Sequence, residues 1–369
     1  MKILFVSTLK RKISPDTFAS RSRIISQLSQ GLSKKGHDVS LLGTGDSQIH
    51  GVKVIPVIDK GWVDLPAPEN VFYRDIATLM KQSAMILDLQ DSYDVIHSHT
   101  YPDFFPAIIG NELKKPLLIT LHALYTDYID DLLARFNKPY LIALSEGYKK
   151  LYKRASIYDV VYNGVDTNLY SYKEEKQDYL LWIGRLARGR KDDGSYIDQK
   201  GVGWAIRLAE QSGSRLKMAG PCEDIEFFEK EVKPHLNDKI EWAGEVSSEQ
   251  SLPVEKIVEL MQNAKVFLMT INQEEPFGLV MAEAMSCGTP VIGFNRGAVS
   301  EVIADGKTGF IVDPESGIDG LKTALAKIET INPADCRKRV EELFNIEKMI
   351  DNYEKVYEKA IKNWKTKNS

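Results

Sequence analysis

The sequence predicts an α/β protein built from two doubly wound halves. Short apolar runs, typical of buried strands, alternate along the chain with stretches in which apolar residues recur at helical spacing. This alternating series occurs twice, before and after a polar segment at residues 167–178 that has no apolar period. No solenoid-length repeat and no segment of low complexity indicates another architecture.

The first half opens as strand, helix and strand. Residues 2–13 predict a strand and a loop, helical spacing then follows until Gly36, and residues 38–42 predict the second strand. Further strands are predicted at 52–57, 94–99, 116–121, 140–144 and 160–162, with a long helix starting at Asn70. Polar residues follow several of these strands, and ligands of open parallel sheets bind beyond the carboxyl ends of the strands.

The second half repeats the pattern. Strands are predicted at 179–183, 215–218, 239–242, 265–270, 290–293 and 309–312, with helices at 203–211, 224–233 and 254–262 among them. The amphipathic stretch 349–364 predicts a helix that crosses back to the first half. We therefore expect domains at 1–166 and 179–345, a linker at 167–178 and a returning C-terminal helix within 346–369.

Bulk composition excludes several classes of protein. The chain has 369 residues, 43% of them hydrophobic, and no run reaches the ~20 apolar residues of a membrane span. Residues 1–7 are too short for a signal peptide, so a cytoplasmic protein is expected. A net charge of −4 argues against nucleic-acid binding, and basic clusters such as residues 10–12 support at most weak membrane association. The three cysteines lack metal or redox spacing.

Residues 274–292 contain more candidate ligand-binding residues than any other stretch of the sequence. The apolar run 266–271 predicts a strand, Pro276 and Gly278 predict a tight turn, and a helix follows until Cys287. Glu283 lies among apolar residues of that helix, where an unpaired carboxylate costs several kcal/mol. It therefore needs a partner or a ligand.

Two carboxylates in this stretch can face one cleft. Glu275 lies at the turn and Glu283 about two helical turns later, at ~3.6 residues per turn. Amides at Phe277 and Gly278, at the start of the helix, point toward the same place and can hold ligand oxygens. Taken singly, Glu275 is more simply a helix cap and Glu283 the partner of a core arginine.

The complete string resembles the donor-site motif of family-4 retaining glycosyltransferases. The shared features are an acidic-Pro-Phe-Gly turn, seven residues between two glutamates, and Glu-Ala-Met-x-Cys-Gly-Thr-Pro-Val-Ile. The resemblance implies the GT-B fold, in which two Rossmann-like domains face a central crevice. It also implies that Glu275 and the amides of Phe277, Gly278 and Leu279 hold the donor sugar, and that Glu283 binds the ribose.

Two cations near helix or strand ends complete the donor site implied by the resemblance. Arg185 directly follows a strand, and Lys200 precedes Gly201 at a predicted helix start, where a phosphate can bind. The resemblance implies that both neutralise the donor diphosphate. No Asp-x-Asp triplet occurs, so neither a metal nor another cofactor is expected. Lys191 is a rival for Lys200, but the following Asp192 and Asp193 oppose an anion.

His122 is the candidate catalytic residue of the first half. It ends a predicted strand, and the resemblance implies that it contacts the transferred sugar or the acceptor. Of the two other histidines nearby, His97 and His99, one is expected only to pack. The family's Gly-Gly pair before the first helix is replaced here by residues 18–21, from Phe18 to Arg21. The expected catalytic residues are thus His122, Arg185, Lys200 and Glu275.

The connection between Arg185 and Lys200 is longer than is usual in the family. Its charged, Gly-containing composition predicts a mobile surface loop. It is either a passive insertion or a lid, in which Arg188, Arg190 or Lys191 adds charge and Tyr196 covers the sugar.

The sequence therefore predicts a metal-independent retaining hexosyltransferase. The donor is expected to be a UDP- or GDP-sugar and the acceptor a hydroxyl of a sugar, a lipid-linked compound or a small molecule. A nucleotide-sugar epimerase of similar fold and a catalytically silent sugar-nucleotide-binding protein are the alternatives, and the oligomeric state is left open.

Overall fold

The computed structural model describes residues 1–17, 19–66, 68–248 and 252–368. The chain forms two compact units. The first comprises Met1–Gly164 together with Ile346–Ser369, and the second comprises Val165–Asn345. Each unit contains a sheet in which every pair of neighbouring strands is parallel.

The sheet of the first unit has seven strands in the order β3-β2-β1-β4-β5-β6-β7. The strands are β1 (Lys2–Val6), β2 (Asp38–Thr44), β3 (Lys53–Ile58), β4 (Val95–Ser98), β5 (Leu117–Thr120), β6 (Tyr140–Ala143) and β7 (Ile157–Val160). The helices are α1 (Ser20–Lys34), α2 (Val71–Leu89), α3 (Asp127–Leu133) and α4 (Glu146–Lys149). The direction of winding reverses at β1 and β4, which places a ligand crevice beyond their carboxyl ends.

The last strand of this sheet differs from its prediction. We expected it at 160–162, but β7 ends at Val160. It is an edge strand whose four residues are all half-buried, so it lacks the apolar run that marks the central strands. The backbone nevertheless continues alongside β6, since the Val161 amide donates to the Ala143 carbonyl at 3.0 Å.

The sheet of the second unit has six strands in the order β10-β9-β8-β11-β12-β13. The strands are β8 (Leu180–Ile183), β9 (Leu216–Ala219), β10 (Ile240–Trp242), β11 (Val266–Met269), β12 (Val291–Phe294) and β13 (Gly309–Val312). The helices are α5 (Val202–Ser212), α6 (Ile225–Phe227), α7 (Val254–Asn263), α8 (Leu279–Ser286), α9 (Val299–Val302), α10 (Gly317–Leu325) and α11 (Pro333–Leu343). Winding reverses at β8 and β11, so the corresponding crevice lies beyond these two strands.

Residues 167–178, which we expected to form a linker, belong to the second unit. Lys176 Nζ donates to the carbonyls of Cys287 at 2.8 Å and Gln262 at 3.0 Å. The amides of Lys173 and Gln177 also donate to backbone carbonyls of this unit. These polar contacts fix the segment without an apolar period, which is why its sequence resembles a linker.

The C-terminal helix, α12 (Ile346–Asn368), belongs to the first unit. Its buried side chains include Tyr353 and Tyr357, both 0% exposed. Near the surface, Glu354 accepts a hydrogen bond from His37 Nε2 at 2.7 Å, and Trp364 Nε1 donates to the Lys114 carbonyl at 3.0 Å. The helix thereby completes the core of the unit in which the chain begins.

The two glycines that flank α5, Gly201 and Gly213, provide a matched test of how closely the start of α5 packs against the end of β11. Both have a left-handed φ, 74° at Gly201 and 67° at Gly213, which costs an alanine roughly 1–2 kcal/mol. A Cβ at Gly201 lies 1.6 Å from the Thr270 carbonyl oxygen, whereas a Cβ at Gly213 meets nothing within 4 Å. We expect Gly201→Ala to lower the free energy of urea unfolding by clearly more than Gly213→Ala. Equal losses in the two variants would contradict the close approach of α5 to β11.

Candidate functional site

An ion pair in the second unit brings two of the predicted donor-site residues together. Lys200 Nζ lies 2.8 Å from Glu275 Oε2, and the side chains are 27% and 12% exposed. Lys200 precedes α5, and Glu275 lies in the loop between β11 and α8. The predicted diphosphate cation and the predicted sugar-binding carboxylate are therefore direct neighbours.

Lys200 is held through its backbone. Trp182, on β8, donates from Nε1 to the Lys200 carbonyl at 3.1 Å. The Thr270 hydroxyl donates to the Gly201 carbonyl at 2.7 Å. The backbone of Lys200 is therefore held in place beyond the ends of the neighbouring strands β8 and β11, while its ammonium group remains partly accessible.

The start of α5 is capped by the chain itself. Asp198 accepts hydrogen bonds from the amides of Gly201, Val202 and Gly203 at 2.7, 3.0 and 2.9 Å. Burial raises the pKa of Asp198, and the three amide donors oppose that shift. We expected these amides to attract a phosphate, but they already bind a carboxylate. Asp198 was missed in the sequence, although an Asp just before a helix is a typical N-cap signal.

Helix α8 begins differently. Its N-cap residue is Gly278, with φ of 77°, and no side chain of that residue caps the helix. Phe277 is 1% exposed and packs edge-on against Phe344, with ring centroids 5.6 Å apart. The first amides of a helix have no partners within the helix, so those of α8 can donate to ligand oxygens, whereas three amides at the start of α5 are bound by Asp198.

The two other α8 residues with predicted roles are buried. Leu279, in the first turn, is 8% exposed, and Glu283 is 5% exposed. Glu283 lies close enough to Cys287 for its charge to contribute to the raised pKa of that thiol, whose main cause is burial. Glu283, the residue predicted to bind the ribose, thus lies on the helix that begins at the predicted sugar-binding amides.

The loop of Glu275 is supported from the β12 side. The Ala298 amide donates to the Glu275 carbonyl at 2.9 Å, and Glu274 accepts a hydrogen bond from the Gly297 amide. Arg296 Nη1 lies 3.8 Å from Glu274 Oε1. Glu274 is thus occupied by residues 296–297, which leaves Glu275 as the carboxylate that faces Lys200.

Arg185 is not part of this pair in the structure. It follows β8, its side chain is 51% exposed, and its Nη1 lies 3.3 Å from Glu223 Oε1. Since an exposed ion pair contributes little to stability, Arg185 can change partners at small cost.

The insertion between Arg185 and Lys200 forms a packed hairpin, so the prediction of a loosely attached loop is wrong in this respect. Arg190 pairs with Asp224 and Glu226, and its guanidinium lies 3.7 Å above the centre of the Tyr196 ring. Tyr196 in turn stacks on Phe227, with centroids 5.3 Å apart and 16° between the planes. Tyr196, which would cover the sugar if the insertion were a lid, therefore packs on α6.

The first unit contains three histidines joined by hydrogen bonds. His122, just beyond β5, contacts His99 through Nε2 and Nδ1 respectively at 2.7 Å, and His99 Nε2 contacts His97 Nδ1 at 3.2 Å. His97 and His99 are 0% exposed, whereas His122 is half-buried. Burial is the main cause that lowers the pKa of each, to about 3 for His99 and well below the usual range for the others. All three are neutral at pH 7.

An ion pair fixes the strand end that carries His122. Asp103 Oδ2 accepts hydrogen bonds from the amides of His122 and Ala123, and Arg21 lies 2.8 Å from Asp103 Oδ1. Arg21 belongs to the segment that departs from the family pattern; Phe18, in the same segment, lies outside the described residues. No spacing in the sequence linked Arg21 with Asp103.

Two family models match the chain, one for each unit. Residues 22–169 match the model described as Glycosyltransferase Family 4, and residues 194–343 match the model described as Glycosyl transferases group 1. An uncharacterized glycosyltransferase of Methanocaldococcus jannaschii is 27% identical over 290 residues, which are 73% of this chain and 76% of that protein.

Solved structures share the fold. Sucrose-phosphate synthase from Thermosynechococcus elongatus superposes with a TM-score of 0.75 at 18% identity, covering 97% of this chain and 99% of that one. Anabaena HepE, solved in complex with UDP and glucose, superposes with a TM-score of 0.68 at 17% identity, covering 97% and 100%. In the part of the chain that the structure describes, no helix is long and apolar enough to cross a membrane. The chain belongs to the family-4 glycosyltransferases of GT-B fold.

Proposed function

We propose that this enzyme transfers a hexosyl group from a nucleotide-diphosphate sugar to a hydroxyl acceptor, with retention at the anomeric carbon and without a metal ion. The observation that carries the proposal is the contact between Lys200 and Glu275 beyond β8 and β11. A cation for the departing diphosphate and a carboxylate for sugar hydroxyls lie side by side, the carboxylate in the loop that leads into α8.

Lys200 and Arg185 act by electrostatics in this mechanism. The nucleoside diphosphate gains negative charge as the bond between sugar and phosphate breaks, so fixed cations stabilise the transition state more than the ground state. Lys200 exchanges Glu275 for a phosphate oxygen when the donor binds. Arg185 leaves its exposed contact with Glu223 and adds a second charge.

Glu275 then becomes available to the sugar. Its carboxylate accepts hydrogen bonds from sugar hydroxyls, while the amides of Phe277, Gly278 and Leu279 donate to sugar or phosphate oxygens. Glu283 accepts hydrogen bonds from the ribose hydroxyls. Glu275 is assigned to binding and not to nucleophilic attack, since a donor-side carboxylate need not reach the far face of the anomeric carbon.

The donor and acceptor classes follow from chemistry and similarity. HepE was solved with UDP and glucose, which supports a UDP-sugar, and a GDP-sugar is the other candidate. Candidate acceptors are sugars, lipid-linked compounds and small molecules that present a hydroxyl. Lys200 and Arg185 are assigned to the negative charge of the diphosphate. Among the described residues, no group of three or more His, Cys, Asp or Glu is arranged to hold a metal ion.

A screen of sugar nucleotides tests this function against its alternatives. The enzyme should release nucleoside diphosphate from one UDP- or GDP-sugar, faster when acceptor is present, and with undiminished rate in excess EDTA. NMR of the product should show the anomeric configuration of the donor. Conversion of the donor into an epimeric sugar nucleotide, without release of nucleoside diphosphate, would identify an epimerase. Binding of a donor without any turnover would identify a catalytically silent protein. Loss of transfer activity in EDTA, restored by magnesium, would overturn metal independence.

Two lysines, Lys191 at the tip of the hairpin and Lys200 beyond its second arm, test the phosphate assignment. Lys200 is half-buried next to Glu275, whereas Lys191 is exposed and its backbone is hydrogen-bonded to Ser195 and Gly194. We expect Lys200→Ala and Arg185→Ala each to lower kcat/KM by about 10²-fold, the order of magnitude for loss of one preorganised electrostatic group. Lys191→Ala should remain near the parent value.

Melting temperatures of the three variants provide the control, since none of these side chains belongs to the buried apolar core. Greater damage from Lys191→Ala than from Lys200→Ala would move the phosphate site to the tip of the hairpin.

A further inference from the structure

A continuous hydrogen-bonded chain connects the C-terminal helix of the first unit to the tip of β5. It starts at Tyr357 on α12, whose hydroxyl lies 2.6 Å from His97 Nδ1. It continues through His99 to His122 at 3.2 and 2.7 Å. The other nitrogen of His97, Nε2, lies 2.7 Å from the Thr120 hydroxyl. His122 Nδ1 is the end of this chain, and no described residue forms a hydrogen bond with it.

The Tyr357 hydroxyl determines the tautomer of His97. A phenol is a strong donor and a weak acceptor, because its oxygen lone pair is delocalised into the ring, whereas a bare imidazole nitrogen is a good acceptor. Burial raises the pKa of Tyr357 well above its usual value, so the hydroxyl keeps its proton. At 2.6 Å it donates to His97 Nδ1, and the single proton of the neutral His97 ring is on Nε2, where it is donated to Thr120.

The tautomer of His97 then determines the other two. If His99 Nε2 were also bare, two lone pairs would face each other at 3.2 Å, so this nitrogen must carry the proton of His99. The remaining nitrogen of His99, Nδ1, is consequently an acceptor. His122 must therefore donate from Nε2 across the 2.7 Å contact, which leaves its own Nδ1 without a proton.

We propose that Tyr357, His97 and His99 are positioning residues that fix His122 as the Nε2-protonated tautomer, so that its Nδ1 accepts a hydrogen bond from a ligand hydroxyl. All members of the chain are neutral, and the nearby guanidinium of Arg21 on α1 opposes protonation of His99 and His122. Phe5, on β1, stacks on the His99 ring with 13° between the planes, and Asp103 holds the His122 backbone. Phe5 thereby supports the orientation of the His99 ring, and Asp103 the position of the His122 backbone.

This arrangement defines what His122 can recognise. A bare imidazole nitrogen accepts from a hydroxyl but repels a carbonyl or carboxylate oxygen, so the ligand group opposite Nδ1 is a hydrogen-bond donor. That the hydroxyl belongs to the transferred sugar or its acceptor rests on the proposed function. The tautomer itself does not.

The test is a long-range ¹⁵N–¹H correlation spectrum of the full-length protein labelled in its six histidines, with His122 assigned by its loss in His122→Asn. Protonated and bare ring nitrogens have well-separated ¹⁵N shifts. We expect a protonated Nε2 and a bare Nδ1 for His122 in the parent protein. Tyr357→Phe removes the donor that determines the His97 tautomer, so His122 should shift from one tautomer to a mixture of both.

Tyr353→Phe is the matched control. Tyr353 lies on the same helix, is equally buried and also loses one hydroxyl, but its partner is the Thr120 hydroxyl at 3.0 Å and not a histidine nitrogen. His122 should keep its single tautomer in this variant. A parent spectrum with the proton on His122 Nδ1, an unchanged tautomer in Tyr357→Phe, or the same shift in both variants would overturn the proposal.

The spectrum requires neither donor nor acceptor, so its result is independent of any transfer assay. A protein that transfers no sugar but shows the expected tautomers would refute the proposed function and retain the tautomer assignment. An active transferase with the opposite tautomer would do the reverse.

Discussion

Parallel pairing is the constraint on which both units depend, since it joins all thirteen strands of the part of the chain that the structure describes. Parallel strands require a crossover after each strand, so all their carboxyl ends meet at one edge and every following loop begins there. In the second unit this edge collects the loops after β8 and β11, which carry Arg185 and Glu275. In the first unit it collects His99, after β4, and His122, after β5. The chemistry of each unit follows from the sheet.

The charges at the candidate donor site are paired within the chain. Lys200 neutralises Glu275, and Asp198 occupies the amides at the start of α5. Both arrangements keep partly buried groups satisfied, since a lone charge in such a place is costly. A diphosphate must therefore compete with Glu275 for Lys200, and a phosphate at the start of α5 would also have to displace Asp198. This cost argues against α5 as the helix that contacts the donor.

Much of the fold was predictable because strands buried on both faces have continuous apolar sequences. The central strands were recognised in this way and α12 by its amphipathic pattern, whereas the predicted position of the edge strand β7 was shifted because half-buried residues lack such a run. The polar segment 167–178 resembles a linker in its sequence because Lys176 attaches it through carbonyl groups and not through apolar packing.

Contacts between residues far apart in the sequence were not predictable. Arg190 and Asp224, or Arg21 and Asp103, have no periodicity that relates them, yet these pairs determine the form of the hairpin and the support of His122. Of His97 and His99, one was expected only to pack, but both are buried members of one hydrogen-bonded chain. Their register on β4 and beyond it was visible in the sequence, whereas the hydroxyl of Tyr357 that orients them was not.

The most direct measurement of the central claim is a crystal structure of the protein with its nucleoside diphosphate bound. The account predicts that Lys200 exchanges Glu275 for a phosphate oxygen, that Arg185 contacts the same diphosphate, and that Glu283 binds the ribose while Asp198 remains on the start of α5. A diphosphate bound at the start of α5 with Asp198 displaced, or bound away from Lys200 with the Lys200–Glu275 pair intact, would contradict it.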